Sequence, residues 1–322
     1  MYQYDVIYNL FRQYKPDIKK SSVEVYARSI IKMKQLNKFD LLDEDDILNY
    51  FDSDEAREKF TLSYIKNNLV SLNLFNQIQN KSFKKIKSRM VEMMYAKTDE
   101  NSKSRRDLDN WITKTELIEV YNRKLHELRQ KNITKRGITS IDDKTNRLLQ
   151  EILIASFYIL IPPRRNIYAT LILITNKTYN NLTEDQIKNN NYFVYVNRSK
   201  KFMSLGDWKN SNKSGTQIIK FENNKKLNQI INLFYKFNKN RINGHMLKNS
   251  RGGDMTTNLI TKILNNFFAE TGKKISSTII RKIYISENPV AKELNKVMKK
   301  ADIIAQKMGH TSSTSQKYYY KK

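Results

Sequence analysis

Cysteine is absent from the chain, which excludes disulfides, thiolate catalysis and cysteine-ligated zinc. Histidine is scarce: His126, His245 and His310 stand far apart, without the short spacings of a metal-ligand set. No apolar run reaches the roughly 20 residues that a bilayer span requires, and Met1-Tyr2-Gln3-Tyr4-Asp5 does not open a signal peptide. These absences lead to the expectation of a soluble intracellular protein with no metal site.

What is abundant is positive charge. The formal net charge is +27 in 322 residues, far beyond what solubility demands, and it points to a polyanionic partner. Heavy use of Lys, Asn, Ile and Tyr is also what an AT-rich coding sequence produces. Drift of that kind would not sort charge along the chain, however. Residues 1–100 carry 17 Lys+Arg against 15 Asp+Glu, whereas the remaining residues carry 42 against 17. The length allows two domains, each with its own core.

The first hundred residues read as short helices. Ser21 and Glu24 form a capping-box pattern, and Val23, Tyr26, Ile30 and Met33 recur at helical spacing, with Arg28 and Lys32 on the opposite face. The stretch from Asp43 to Glu58 is acidic and reads as a solvated face, because consecutive carboxylates on a helix diverge and acids suit helix starts. A second buried stripe holds Phe60, Tyr64, Ile65, Leu69 and Leu72. Lys81, Lys84, Lys85, Lys87 and Arg89 then follow with no acid between them. This order leads to the expectation that the basic run faces DNA phosphates while the acidic segment faces away. Residues 1–96 are thus read as a helical DNA-binding domain, residues 97–110 as a polar linker, and residues 111–322 as the second domain.

In the second domain Thr113 and Glu116 repeat the capping box, and a helix starting near Asp142 and Asp143 becomes almost wholly apolar from Leu148 to Ile161. Pro162 and Pro163 stop it, and Arg164 and Arg165 stand directly beyond. Residues 192–196, 202–205 and 216–221 are rich in strand formers and predict a small antiparallel sheet. The loop between the last two carries Lys209 and Lys213. Helical spacing returns over Leu227–Phe237 and Asn258–Phe268, and Arg281 then lies in an apolar stretch where it needs an anion. The fold class expected is mainly α with a small antiparallel β-sheet.

Near the end, Gly309-His310 is followed by Tyr318, Tyr319 and Tyr320. An imidazole can donate to a phosphate oxygen while a deprotonated phenol attacks phosphorus, so the pair suits phosphoryl transfer.

The ordered set Arg165, Lys209, Arg281, His310 and Tyr319 resembles the tyrosine recombinase (phage-type integrase) family. Pro162-Pro163-Arg164-Arg165-Asn166-Ile167-Tyr168 and the Lys209–Gly215 loop look like variants from large DNA viruses and mobile elements. The resemblance implies a helical core-binding domain followed by an α+β catalytic domain, and site-specific cleavage and rejoining of double-stranded DNA through a 3′-phosphotyrosine link. Tyr319, nine residues after His310, would be the nucleophile. Arg165 and Arg281, with Arg164 in support, would bind the nonbridging oxygens, Lys209 would protonate the leaving 5′-oxygen, and His310 would hold an oxygen or assist the proton. No cofactor is implied, and the assembly implied is a homotetramer on two DNA sites.

The chain departs from the family pattern in three places. Thr278 stands where His or Lys precedes the second arginine by three residues, Ile167 and Tyr168 stand where a carboxylate often follows the first, and only three residues follow Tyr319. Two other readings remain open: a type IB topoisomerase, which shares the chemistry, and a catalytically silent DNA-binding relative.

Overall fold

Local capping sets most of the element boundaries. The computed structural model describes residues 4–99, 105–221 and 223–309, and the chain divides into two units, Met1–Lys103 and Ser104–Lys322.

The first unit holds α1 (Tyr4–Tyr14), α2 (Lys20–Leu36), α3 (Glu44–Asp52), α4 (Asp54–Lys59), α5 (Leu62–Ile78) and α6 (Lys84–Asp99). Asp43 caps α3 by accepting from the amides of Asp45 and Asp46, Ser53 caps α4, and Thr61 caps α5. The Ser21 capping box does not form. Lys19 occupies the N-cap of α2 without a side-chain cap, because its carbonyl already accepts from the amides of Ser22 and Val23 and the helix is under way before Ser21 can cap it. Ile7, Phe11, Val23, Ile30, Met33, Leu69, Leu72 and Phe75 are buried together as the core of this unit.

The basic run does not turn away from the acidic segment. Lys85 pairs with Asp45 at 2.6 Å, Arg89 with Asp52 at 2.6 Å and Glu92 at 3.1 Å, and Lys81 donates to the Leu42 carbonyl at 3.0 Å. Glu44 also accepts from the Ile86 amide. Opposite charges on α3 and α6 have come together as those helices pack, which is what two solvated faces of opposite sign do when an apolar face joins their helices. Lys84 and Lys87 remain exposed, and their side chains make no hydrogen bond or ion pair among the described residues.

The second unit begins with α7 (Arg105–Asp109), so residues 97–110 contain the end of one helix and the whole of another. It continues through α8 (Lys114–Gln130), α9 (Asp143–Ile159), a 3-10 turn (Asn166–Thr170), β1 (Leu171–Thr175), α10 (Asn176–Asn180), α11 (Glu184–Asn189), β2 (Asn191–Tyr195), β3 (Lys201–Leu205), α12 (Ser211–Ser214), β4 (Gln217–Lys220), α13 (Lys225–Phe237), β5 (Gly244–His245), α14 (Thr257–Phe267), α15 (Ser277–Glu287) and α16 (Pro289–Lys307). Thr113 and Glu116 form the expected capping box on α8, and Asp142 caps α9.

The sheet is mixed rather than antiparallel, with order β4-β3-β2-β1-β5. β1 pairs with β2 in parallel, Leu171 opposite Asn191, whereas β3, β4 and β5 join antiparallel. The run Leu171-Ile172-Leu173-Ile174 lacks the apolar and polar alternation of a half-exposed strand because most of it is buried. α9 is the central helix: ten of its residues from Thr145 to Tyr158 are buried, and α8, α13, α14 and α15 all pack on it. Among the described residues no helix is long and apolar enough to cross a membrane.

Candidate active site

α9 ends at its C-cap Leu160, whose carbonyl accepts from the Asn224 side chain at 2.7 Å. The two prolines that follow cannot continue the helix, and the chain turns at Arg164 and Arg165 into the 3-10 turn. This turn is fastened on three sides. The Tyr158 hydroxyl donates to Asn166 Oδ1 at 2.8 Å, while Asn166 Nδ2 donates to the Thr257 carbonyl at 2.7 Å and to Thr261 Oγ1 at 2.9 Å on α14. Tyr168 stacks on Phe157 with ring centroids 4.8 Å apart and donates to the Phe157 carbonyl.

The two arginines are treated differently. Arg164 is half-buried and its guanidinium donates to Gln217 Oε1 at 2.7 Å, at the start of β4. Arg165 is exposed at the N-cap of the turn, and its side chain makes no hydrogen bond or ion pair among the described residues.

Lys209 lies in the β3–β4 connection, exposed and without a partner among the described residues. Two ties hold this connection to the arginine turn. One is the Arg164–Gln217 bond. The other is buried Asn191, whose Nδ2 donates both to the Asp207 carbonyl at 2.7 Å and to Thr170 Oγ1 at 2.9 Å. Trp208 Nε1 closes the loop on the Gly215 carbonyl, where φ of +66° requires the conformational freedom of glycine. Gly206 is required for a different reason: a Cβ there would sit 1.9 Å from the Ile187 carbonyl oxygen. Lys213 is exposed on α12 beside this loop.

Arg281 is supplied by α15, whose N-cap is Ser276 and whose buried face is Ser277, Ile279, Ile280 and Ile283. It is half-buried, yet its side chain has no hydrogen bond or ion pair among the described residues. Its position is reported by two tyrosines. Burial pushes the Tyr168 phenol well above its ordinary value, and the charges of Arg164 and Arg281 draw it partly back. Burial does the same to Tyr158, which Ser277 and Arg281 oppose. The charges of both guanidiniums thus bear on Tyr168, which packs edge to face on Tyr158 at 5.2 Å. A half-buried guanidinium with no carboxylate is electrostatically incomplete, and an anion completes it. Thr278 is exposed on the first turn of α15.

Gly309, at φ of +70°, follows the last turn of α16 as a C′ glycine does. His310, Tyr318, Tyr319 and Tyr320 lie outside the described residues. Among the described residues there is no group of three or more His, Asp or Glu that would hold a metal ion. Sequence reading singled out the charged members but missed Asn191 and Gln217, which fix the lysine loop to the arginine turn, and Gly206, which lets the start of that loop lie against the Ile187 carbonyl. Only Gly206 left a signal, as a glycine at the end of a strand pattern.

No protein-family model matches the chain, and no curated protein matches it by sequence. Among solved structures, the crystal structure of XerA recombinase is similar over 99% of this chain and 94% of that one, with a TM-score of 0.32 and 10% sequence identity.

Proposed function

We propose that the chain cleaves and rejoins double-stranded DNA in the manner of a tyrosine recombinase. The observation that carries this reading is the set of cations left without partners among the described residues: half-buried Arg281, with exposed Arg165 and Lys209 on segments tied to one another. In a protein whose positive excess lies almost wholly in this part of the chain, such cations fit a scissile phosphate.

In this reading Arg165 and Arg281 hold the nonbridging oxygens and stabilise the charge that develops on them, and Arg164 orients the β3–β4 connection through Gln217. Lys209 donates a proton to the leaving 5′-oxygen. His310 holds a nonbridging oxygen. The Tyr319 oxygen attacks phosphorus as its proton passes to water, the P–O5′ bond breaks, and the product is a 3′-phosphotyrosine with a free 5′-hydroxyl that carries the proton from Lys209. Attack by that hydroxyl, or by one from a partner duplex, reverses the step and reseals a strand. A dimer on each site and a tetramer in the synapse complete the proposal.

The test is a nicked duplex incubated with the wild-type protein and with Tyr319→Phe, analysed on a denaturing gel. A covalent protein–DNA band in the wild type that is lost in the variant is the expected result. Equal trapping by both moves the nucleophile to Tyr318 or Tyr320. Binding without trapping by either removes the cleavage reading and leaves a DNA-binding protein.

A further inference from the structure

A second basic feature lies at the other end of the sheet. Asn191 begins β2 beside the Lys209 loop, whereas Tyr195 ends it, about 13 Å further along the strand. There a hollow of about 850 Å³ opens between the last turns of α8, the α8–α9 connection and the outer face of α13. Its floor is apolar, formed by Leu125, Leu128, Ile133, Ile230 and Leu233. The Tyr195 and Tyr235 rings, stacked with centroids 3.6 Å apart, make a flat wall.

Among the described residues, seven cations line this hollow and no carboxylate does. Arg129, Lys135 and Arg136 stand on one bank. Arg198, Lys226, Lys236 and Lys239 stand on the other. None of the seven has an ion-pair partner among the described residues; Lys226 makes do with the Asn122 side chain and the Tyr121 ring. The close of a helix suits a cation, which accounts for Arg129 and Lys236 but not for the other five.

We propose that this groove binds an acidic amphipathic segment of a partner protein. Three features select that occupant. Cations stand at both ends of α13, Lys226 in its first turn and Lys236 and Lys239 at and just past its close, so the row is spaced over about 20 Å. One phosphate head group engages two or three cations at one point, so a small amphiphile leaves most of this row unanswered, while a helix of three or four turns matches it. DNA answers the charge but offers its phosphates to the floor, where five aliphatic side chains gain nothing from them. A helix with leucines on one face and glutamates on the flanks answers both.

The probe is a synthetic peptide of about 14 residues, with Leu on one helical face and Glu on the other, carrying a fluorophore and titrated with the full chain in an anisotropy assay. Binding that weakens with salt is expected, with a loss of about tenfold or more in the Lys236→Glu, Lys239→Glu double variant. Both positions are exposed, so circular dichroism should stay unchanged. A peptide with Ser in place of Leu should bind at least tenfold more weakly, as should one with Lys in place of Glu. Failure of the acidic peptide to bind overturns the proposal. So does equal loss of affinity for a random DNA duplex in the double variant, which would assign the groove to the DNA interface. Binding of dodecyl phosphate with no binding of the peptide overturns it in favour of a small amphiphile.

Discussion

Lys201 gives the protein a stability that rises with pH over a window set by one buried amine. The side chain is 1% exposed and its ammonium donates to the Arg198 carbonyl and to Asn228 Oδ1, with no carboxylate partner among the described residues. Burial lowers its pKa from 10.5 to about 8. Below about pH 8 the amine is charged in both the folded and unfolded chain, so the cost of burying the charge is present in full. Between about 8 and 10.5 the unfolded chain binds more protons, so stability increases with pH; above that range both states are neutral and the cost is gone. The whole shift corresponds to about 3 kcal/mol. The amine lies just beneath the exposed 197–200 turn, where nearby water screens it, so about half of that is the better figure. Urea unfolding of the wild type and Lys201→Met at several pH values from about 7 to about 9.5 isolates the effect. The wild type should gain about 1 kcal/mol relative to the variant across that window. The buried tyrosines act in the opposite sense, since burial pushes Tyr121 up to about 12, but their influence begins near the ordinary phenol value and is common to both proteins. Parallel pH profiles would refute the reasoning, because they would mean that the folded protein hydrates this ammonium as well as the unfolded chain does.

Four further outcomes follow from the geometry. Gly206→Ala should destabilise the protein by about 1–3 kcal/mol, because backbone carbonyls occupy the space, and should slow strand cleavage more than it weakens duplex binding; urea unfolding and a gel-shift assay separate the two. Arg281→Lys keeps the charge but loses the planar fork, so covalent trapping should fall by about 100-fold or more while duplex affinity changes little. Asp107→Asn weakens the bridge to Lys282 that fastens α7 to α15, and thermal unfolding should report a loss of about 1–2 kcal/mol. In the first unit, Lys84→Ala with Lys87→Ala should make the slope of log K against log salt shallower by about 0.9 for each DNA phosphate that the variant no longer neutralises, whereas Lys85→Ala should leave it unchanged because that lysine already answers Asp45.

Much of the fold was legible because local chemistry decided it. Asp142 and Thr113 cap helices where the sequence placed helix starts, and the apolar run ending at Pro162 became the central helix. β1 was not legible, since a strand buried along most of its length does not alternate and its parallel pairing with β2 depends on the α10–α11 crossover. The Ser21 capping box failed because an equally good backbone start lay earlier, at Lys19. Opposite charges in residues 43–89 were visible in the sequence, but their mutual pairing was not, because it depends on how α3 meets α6. Among the site residues, charge and spacing marked the cations, while Asn191 and Gln217 were hidden: a single amide side chain in a strand pattern carries no signal until its partners are known.

Those two amides bear on how the site divides its labour. Adjacent arginines in a sequence are interchangeable on charge alone, and the missing carboxylate after them removes the usual way to choose. Gln217 makes the choice physical. A guanidinium engaged at 2.7 Å by an amide oxygen must break that bond to bind phosphate, whereas its exposed neighbour has no bond to release among the described residues. Under the proposed function, Arg164 would then tie the arginine turn to the lysine loop, and Arg165 would be the ligand for the phosphate. Gln217→Leu distinguishes the roles. It removes the acceptor that fixes Arg164, so the Lys209 loop should lose its register and trapping should fall, while duplex affinity stays near the wild-type value. Arg165→Ala should instead weaken binding and trapping together. If Gln217→Leu leaves trapping intact and Arg164→Ala abolishes it, the assignment reverses, with Arg164 releasing its amide to hold the phosphate.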